Sequence, residues 1–71
     1  MHYDLKPFVK VKVYEDPHSE RGFEGTGILV HPCEVSMDKA EAHPGLERWG
    51  IALTKGVAVV NRWVSPRHLV R

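Results

Sequence analysis

Between Phe8 and Tyr14 the chain alternates, with Val9, Val11 and Val13 on one side and Lys10 and Lys12 on the other. This is the period-two signature of a half-buried strand. Residues Glu15 to Gly22 are polar and punctuated by Pro17 and Gly22, which predicts a loop. From Phe23 to Val30 an apolar end, Ile28-Leu29-Val30, follows Gly25 and Gly27, the pattern of a second strand that bends or bulges where glycine replaces a side chain. Arg48 to Thr54 then places Trp49, Ile51 and Leu53 on one side, Lys55-Gly56 supplies a tight turn, and Val57 to Val64 returns as the partner of a hairpin. Ser65-Pro66-Arg67-His68 suits a single helical turn, with the proline where no amide is needed, before Leu69-Val70 resumes an extended course as a short fifth strand.

The stretch at about 33–44 has a different texture. Met37, Lys39, Ala40, Glu41 and Ala42 favour helix, and Ser36 can accept from a backbone amide at its start. The same residues also suit an irregular insertion between strands, and Pro32 and His43-Pro44-Gly45 limit the segment in either case.

The hairpin register decides where Trp63 goes. A two-residue turn at Lys55-Gly56 pairs Leu53 with Ala58 and Ile51 with Val60. Ala58, Val60, Arg62 and Val64 then share the inner face, and Trp63 falls outside with Val57, Val59 and Asn61. A bulge at Gly56 would reverse the two faces, and a Trp63 that caps the core at the sheet edge is the plainer alternative. Trp49 is expected in the core.

Strand, loop, bent strand, insertion, strand, tight turn, strand, single turn and short strand together resemble the SH3-like small β-barrel. The residues that carry the resemblance are Gly25-Thr26-Gly27 at the bend and Val64-Ser65-Pro66-Arg67-His68-Leu69 at the closing turn. The resemblance implies a mainly β, five-stranded barrel over 1–71, in which two small sheets pack at a steep angle. Signalling SH3 domains, Tudor and KOW modules and plasmid-type dihydrofolate reductase subunits share this shape, so it implies a fold rather than a function. In the reductases a Val-Gln-Ile-Tyr stretch lines the pore of a tetramer. The matching positions here are Asn61, Arg62, Trp63 and Val64, and none agrees.

Seventy-one residues with 42% hydrophobic and 27% charged side chains describe one small folded domain. The longest apolar runs are far too short to span a bilayer, which needs about 20 residues. The N-terminal residues Met1-His2-Tyr3-Asp4 lack the features of a secretory signal, and the single Cys33 forms no internal disulfide, so a cytoplasmic setting is expected. Net charge is only +1, but it is segregated: Tyr14 to Glu47 carries eight acids against Arg21 and Lys39, while Arg48 to Arg71 carries five bases and no acid.

Five histidines and Cys33 raise the question of a metal. Only His31-Pro32-Cys33 forms a close pair, which falls short of the two ligand pairs of a structural zinc site, and no metal or cofactor is expected. Cys33 as a nucleophile would need a base and a positive neighbour, whereas Glu34 follows it.

These residues predict a small non-catalytic binding or regulatory module. It docks on a protein partner, or on copies of itself, through the last hairpin and the C-terminal segment, with Trp63, Arg62, Arg67, His68 and Arg71 as the binding residues. The alternative is a KOW-like nucleic-acid binder that uses the same basic segment, with Trp63 stacking on a base. No membrane partner is expected.

Overall fold

The computed structural model describes residues 5–56 and 58–70. Four strands, β1 (Lys10–Asp16), β2 (Arg21–Pro32), β3 (Glu47–Leu53) and β4 (Val59–Val64), form one antiparallel sheet in the order β1-β2-β3-β4. The helix α1 (Met37–Ala42) lies between β2 and β3, and a 3-10 turn, η1 (Pro66–His68), follows β4. Sequence reasoning left the insertion open between helix and irregular chain. Met37–Ala42 is helical, with the Ser36 hydroxyl accepting from the Lys39 amide at its start.

The second strand is longer than the expected Phe23–Val30 because the polar stretch before it is mostly strand. Only Pro17–Glu20 turns, and the Asp16 carboxylate shapes that turn by accepting from the Ser19 hydroxyl at 2.8 Å and the His18 amide at 3.2 Å. The Ser19 hydrogen bond also holds the Asp16 carboxyl below its usual pKa.

Two irregularities bend β2. Val13 pairs with Gly25 but Tyr14 with Phe23, so Glu24 is an extra residue on β2, beside Gly25 at φ +110°. Leu29 pairs with Ile51 but His31 with Gly50, which makes Val30 a second extra residue. A β-bulge bends its strand and adds twist, and two on one central strand curl the sheet into a half-barrel. This shape is compatible with an SH3-like small barrel.

The expected fifth strand is reduced to one bridge. Leu69 pairs antiparallel with Val11, and the Val70 amide donates to the Lys10 carbonyl at 2.9 Å, so the chain after η1 meets the far edge of the sheet. Its two residues make no ladder of their own, and the described residues hold four strands.

The core sits inside the curl: Leu5, Val11, Val13, Leu29, Trp49, Ile51 and Val64 are buried, with Val9, Leu53, Val60 and Leu69 packed partly against them. The alternation expected for β1 and the placement of Trp49 hold here. Gly27 makes the tightest contact, since a Cβ on it would lie 2.5 Å from Ile51 Cγ2 and 3.0 Å from the Ala52 carbonyl oxygen. Gly27→Ala should therefore force β2 and β3 apart and cost about 1–3 kcal/mol, measured as a lowered midpoint in chemical denaturation. Gly25→Ala, strained only by its positive φ, provides a comparison that leaves the strand spacing untouched.

His68 is also in this interior, only 2% exposed, with its ring 5.2 Å from that of Tyr14. Its Nδ1 accepts from the Ser65 amide at 3.2 Å, which puts the ring proton on Nε2, a buried atom with no hydrogen-bond partner among the described residues. Burial pushes the His68 pKa down, against a weaker upward pull from Glu20. The unfolded chain therefore binds a proton more readily than the native one. The stability of the neutral ring is fully present above about pH 6.5 and is lost as pH falls below that value. Denaturation midpoints at pH 7.5 and pH 5.5 should show this loss. His68→Asn keeps an acceptor for the Ser65 amide and removes the titration, so its midpoint should be lower at pH 7.5 but change less between the two pH values.

Candidate functional site

The β3–β4 register matches the sequence expectation, with Ile51 opposite Val60, Trp49 opposite Arg62 and Arg48 opposite Trp63. Inward residues on β4 are Val60, Arg62 and Val64, and Trp63 lies on the outer face. There it is half-buried rather than free, because the insertion folds back over the hairpin. The Cys33 amide donates to the Arg48 carbonyl at 2.8 Å and the Cys33 thiol to Asn61 Oδ1 at 3.6 Å, fixing the chain after β2 beside β3 and β4. At the other end of the insertion, His43 closes α1, with its amide donating to the Ala40 carbonyl.

From that position the His43 ring stacks on the Trp63 indole, centroids 4.1 Å apart and planes 18° from parallel. His18 lies beside His43, with ring centroids 5.0 Å apart and planes 18° from parallel. His18 Nε2 and His43 Nδ1 are 2.9 Å apart, one ring donating and the other accepting. Three segments that are distant in sequence thus meet over one tryptophan. The Arg48 guanidinium carbon lies 5.7 Å from the indole centroid, close enough for a cation–π attraction.

Two grooves meet at Trp63 and Arg48. One, of about 420 Å³, is lined by Glu34, Val35, Ser36, Lys39, His43, Arg48 and Trp63. The other, of about 380 Å³, is lined by Glu15, Pro17, Asn61 and Arg62 together with the same Arg48 and Trp63. Arg48 and Trp63 are shared by both and stand at the centre of the surface.

The other expected binding residues have different surroundings. Arg62 faces inward, where Nε and Nη2 donate to the two Glu24 carboxylate oxygens at 2.7 and 2.8 Å. The fork joins β4 to β2, strands that are not neighbours in the sheet, and Glu24 is the bulge residue. Its hydrogen bonds from Arg62 hold the Glu24 carboxyl below its usual pKa, and Arg62 is raised by the same contact. Arg67 is more exposed, but its Nη2 donates to the carbonyls of Pro17 and His18 at 3.3 and 3.2 Å and lies 3.8 Å from a Glu20 oxygen. It therefore braces the β1–β2 turn, the turn that carries His18. His68, expected as a surface base, is a neutral core residue, and Arg71 lies outside the described residues.

Of the residues that meet here, sequence reasoning named Trp63 as a binding residue and did not name Arg48, His43, His18 or Lys39 as such. Arg48 was within reach, since the predicted register places it opposite Trp63. No local pattern marks His43, which depends on the path of the insertion. Among the described residues no group of three or more His, Cys, Asp or Glu side chains is placed to hold a metal ion. Among the described residues no helix is long and apolar enough to cross a membrane. Comparison with protein-family models, with curated proteins and with solved structures gave no significant match.

The Glu24–Arg62 fork is bidentate and half-buried, which places it above the usual exposed ion pair. A double-mutant cycle of Glu24→Gln and Arg62→Gln should give a coupling energy of about 1 kcal/mol at neutral pH, shrinking as pH falls through the carboxylate range. A coupling of zero would make the pair incidental.

Proposed function

We propose that the chain is a small, non-catalytic binding module of the cytoplasm, built as an SH3-like barrel in which Leu69-Val70 stands for the fifth strand, and that it docks on a protein partner through the outer face of the β3–β4 hairpin. The observation that carries this reading is Trp63. A tryptophan on the outer face of a hairpin, half-buried between two grooves and fixed by stacking on His43, presents a rigid aromatic anchor of the type that dominates binding hot spots. Arg48 beside it adds the second residue type enriched at such centres.

The reading moves the docking surface relative to the sequence expectation. Its centre is Trp63 with Arg48 and His43, while Arg62 and Arg67 serve the fold beneath it. The same shift weighs against a nucleic-acid module. Two cations of the basic segment are already occupied by Glu24 and by turn carbonyls, and one face of the indole is covered by His43, which removes the open platform that base stacking requires.

Selection from a displayed library of random peptides, with the folded protein as bait, tests the reading. Enriched peptides should bind the wild-type protein and lose at least tenfold in affinity to Trp63→Ala, with no change for Phe23→Ser, an exposed aromatic that lines neither groove. Failure to enrich any Trp63-dependent peptide, together with salt-sensitive binding of single-stranded oligonucleotides, would replace this reading with the nucleic-acid one.

A further inference from the structure

The groove on the insertion side of Trp63 combines charge and apolar surface in a way that specifies its occupant. Its apolar walls are Val35 and Trp63, and its donors are Lys39, Arg48, His43 and the Ser36 hydroxyl. Glu34 is the one acid that lines it. Among the described residues, neither Lys39 nor Arg48 has a carboxylate within 4.0 Å; the only ion pairs are Arg62 with Glu24 and Arg67 with Glu20. Two cations without an ion-pair partner among the described residues, together with Glu34, therefore line a half-apolar trough of about 420 Å³.

Arg48 is held in place from both sides. Its carbonyl accepts the Cys33 amide, its strand position pairs with Trp63, and its guanidinium lies beside the indole. A guanidinium so held keeps its planar fork available for a carboxylate, while Lys39, on the exposed helix, offers a mobile second charge.

Resting on the docking surface proposed above, we infer that this groove binds an acidic peptide segment of the partner, with a carboxylate between Arg48 and Lys39 and a neighbouring apolar side chain against Val35 and Trp63. Charge complementarity selects this occupant. With Lys39 and Arg48 set against Glu34, the groove carries one net positive charge, which one carboxylate balances, whereas a nucleic-acid backbone would need a longer track of positive charge, and the nearest candidates for it, Arg62 and Arg67, are engaged elsewhere. Apolar walls beside the cations favour a peptide that alternates acidic and large aliphatic residues over a purely acidic run.

The test uses the library-selected peptides as fluorescein-labelled synthetic copies, each paired with a version in which every aspartate and glutamate is replaced by its amide. Titration by fluorescence anisotropy should show selected peptides rich in acidic residues, and a roughly tenfold loss of affinity for each amide version. Arg48→Gln combined with Lys39→Gln should produce a similar loss. Lys39→Gln alone, on the exposed face of α1, should produce part of it without touching the hairpin, and circular-dichroism melts establish that each variant folds. Peptides that depend on Trp63 yet bind equally in acidic and amide form would overturn this inference and leave the docking surface standing. Peptides indifferent to Trp63 would overturn both, and displacement of bound peptide by single-stranded oligonucleotide at the same site would transfer the groove to nucleic acid.

Discussion

The bending of β2 is the constraint on which the rest of this small protein depends. A flat four-stranded sheet of these residues would leave one apolar face open to water, and 71 residues supply no second layer to cover it. The extra residues at Glu24 and Val30 let one strand serve two directions, and Gly27 lets β2 approach Ile51 without a side chain between them. The sheet then covers its own inner face. The Glu24–Arg62 fork follows from the same bulge, because the residue inserted into β2 supplies the carboxylate that ties β4 across the interior.

Closure is completed by little chain. After β4, Ser65 caps a single turn, its hydroxyl accepting from the Arg67 amide while the His68 ring accepts from the Ser65 amide. That turn puts Leu69 opposite Val11 and buries an imidazole in the seam. A buried ring whose pKa is pushed down by burial and whose Nε2–H has no partner among the described residues is a costly feature of this seam, and it makes the seam sensitive to acid. Arg67, on the same turn, reaches the carbonyls of Pro17 and His18, so the closing turn also positions His18, whose ring lies beside His43.

Much of the architecture was legible from residue patterns because it rests on local periodicity. The alternation of Val9, Val11 and Val13 and the glycines of β2 each carry their own physical signal, and of the two hairpin registers considered the one that puts Trp63 outside is observed. The expected tight turn includes Val57, outside the described residues, and β4 begins at Val59. The length of β2 was less legible, since Arg21 and Gly22 are polar and join the strand only through pairing with Asp16 and its neighbours. His68 was misplaced because a basic residue after proline and arginine reads as surface, and its burial depends on the far edge of the sheet. Arg62 shows the same limit: parity put it on the inner face, but its Glu24 partner is 38 residues away. The candidate site was legible only at its centre, because the insertion that brings His43 onto Trp63 and Lys39 to the adjoining groove follows a path no periodicity encodes.

The structure thus separates two roles that the basic C-terminal half presents as one. Its inward or bracing arginines tie parts of the curled sheet together, and its outward tryptophan, half-buried beside Arg48, lies next to a folded insertion. Solution mass by light scattering, with tryptophan fluorescence on the same sample, tests whether that outer face is open to a foreign partner. The account predicts a monomer with two emission components, a blue-shifted one from buried Trp49 and a red-shifted one from Trp63. A stable symmetric oligomer with both indoles blue-shifted would contradict it, because the surface assigned to a partner would already be filled by a second copy of the chain.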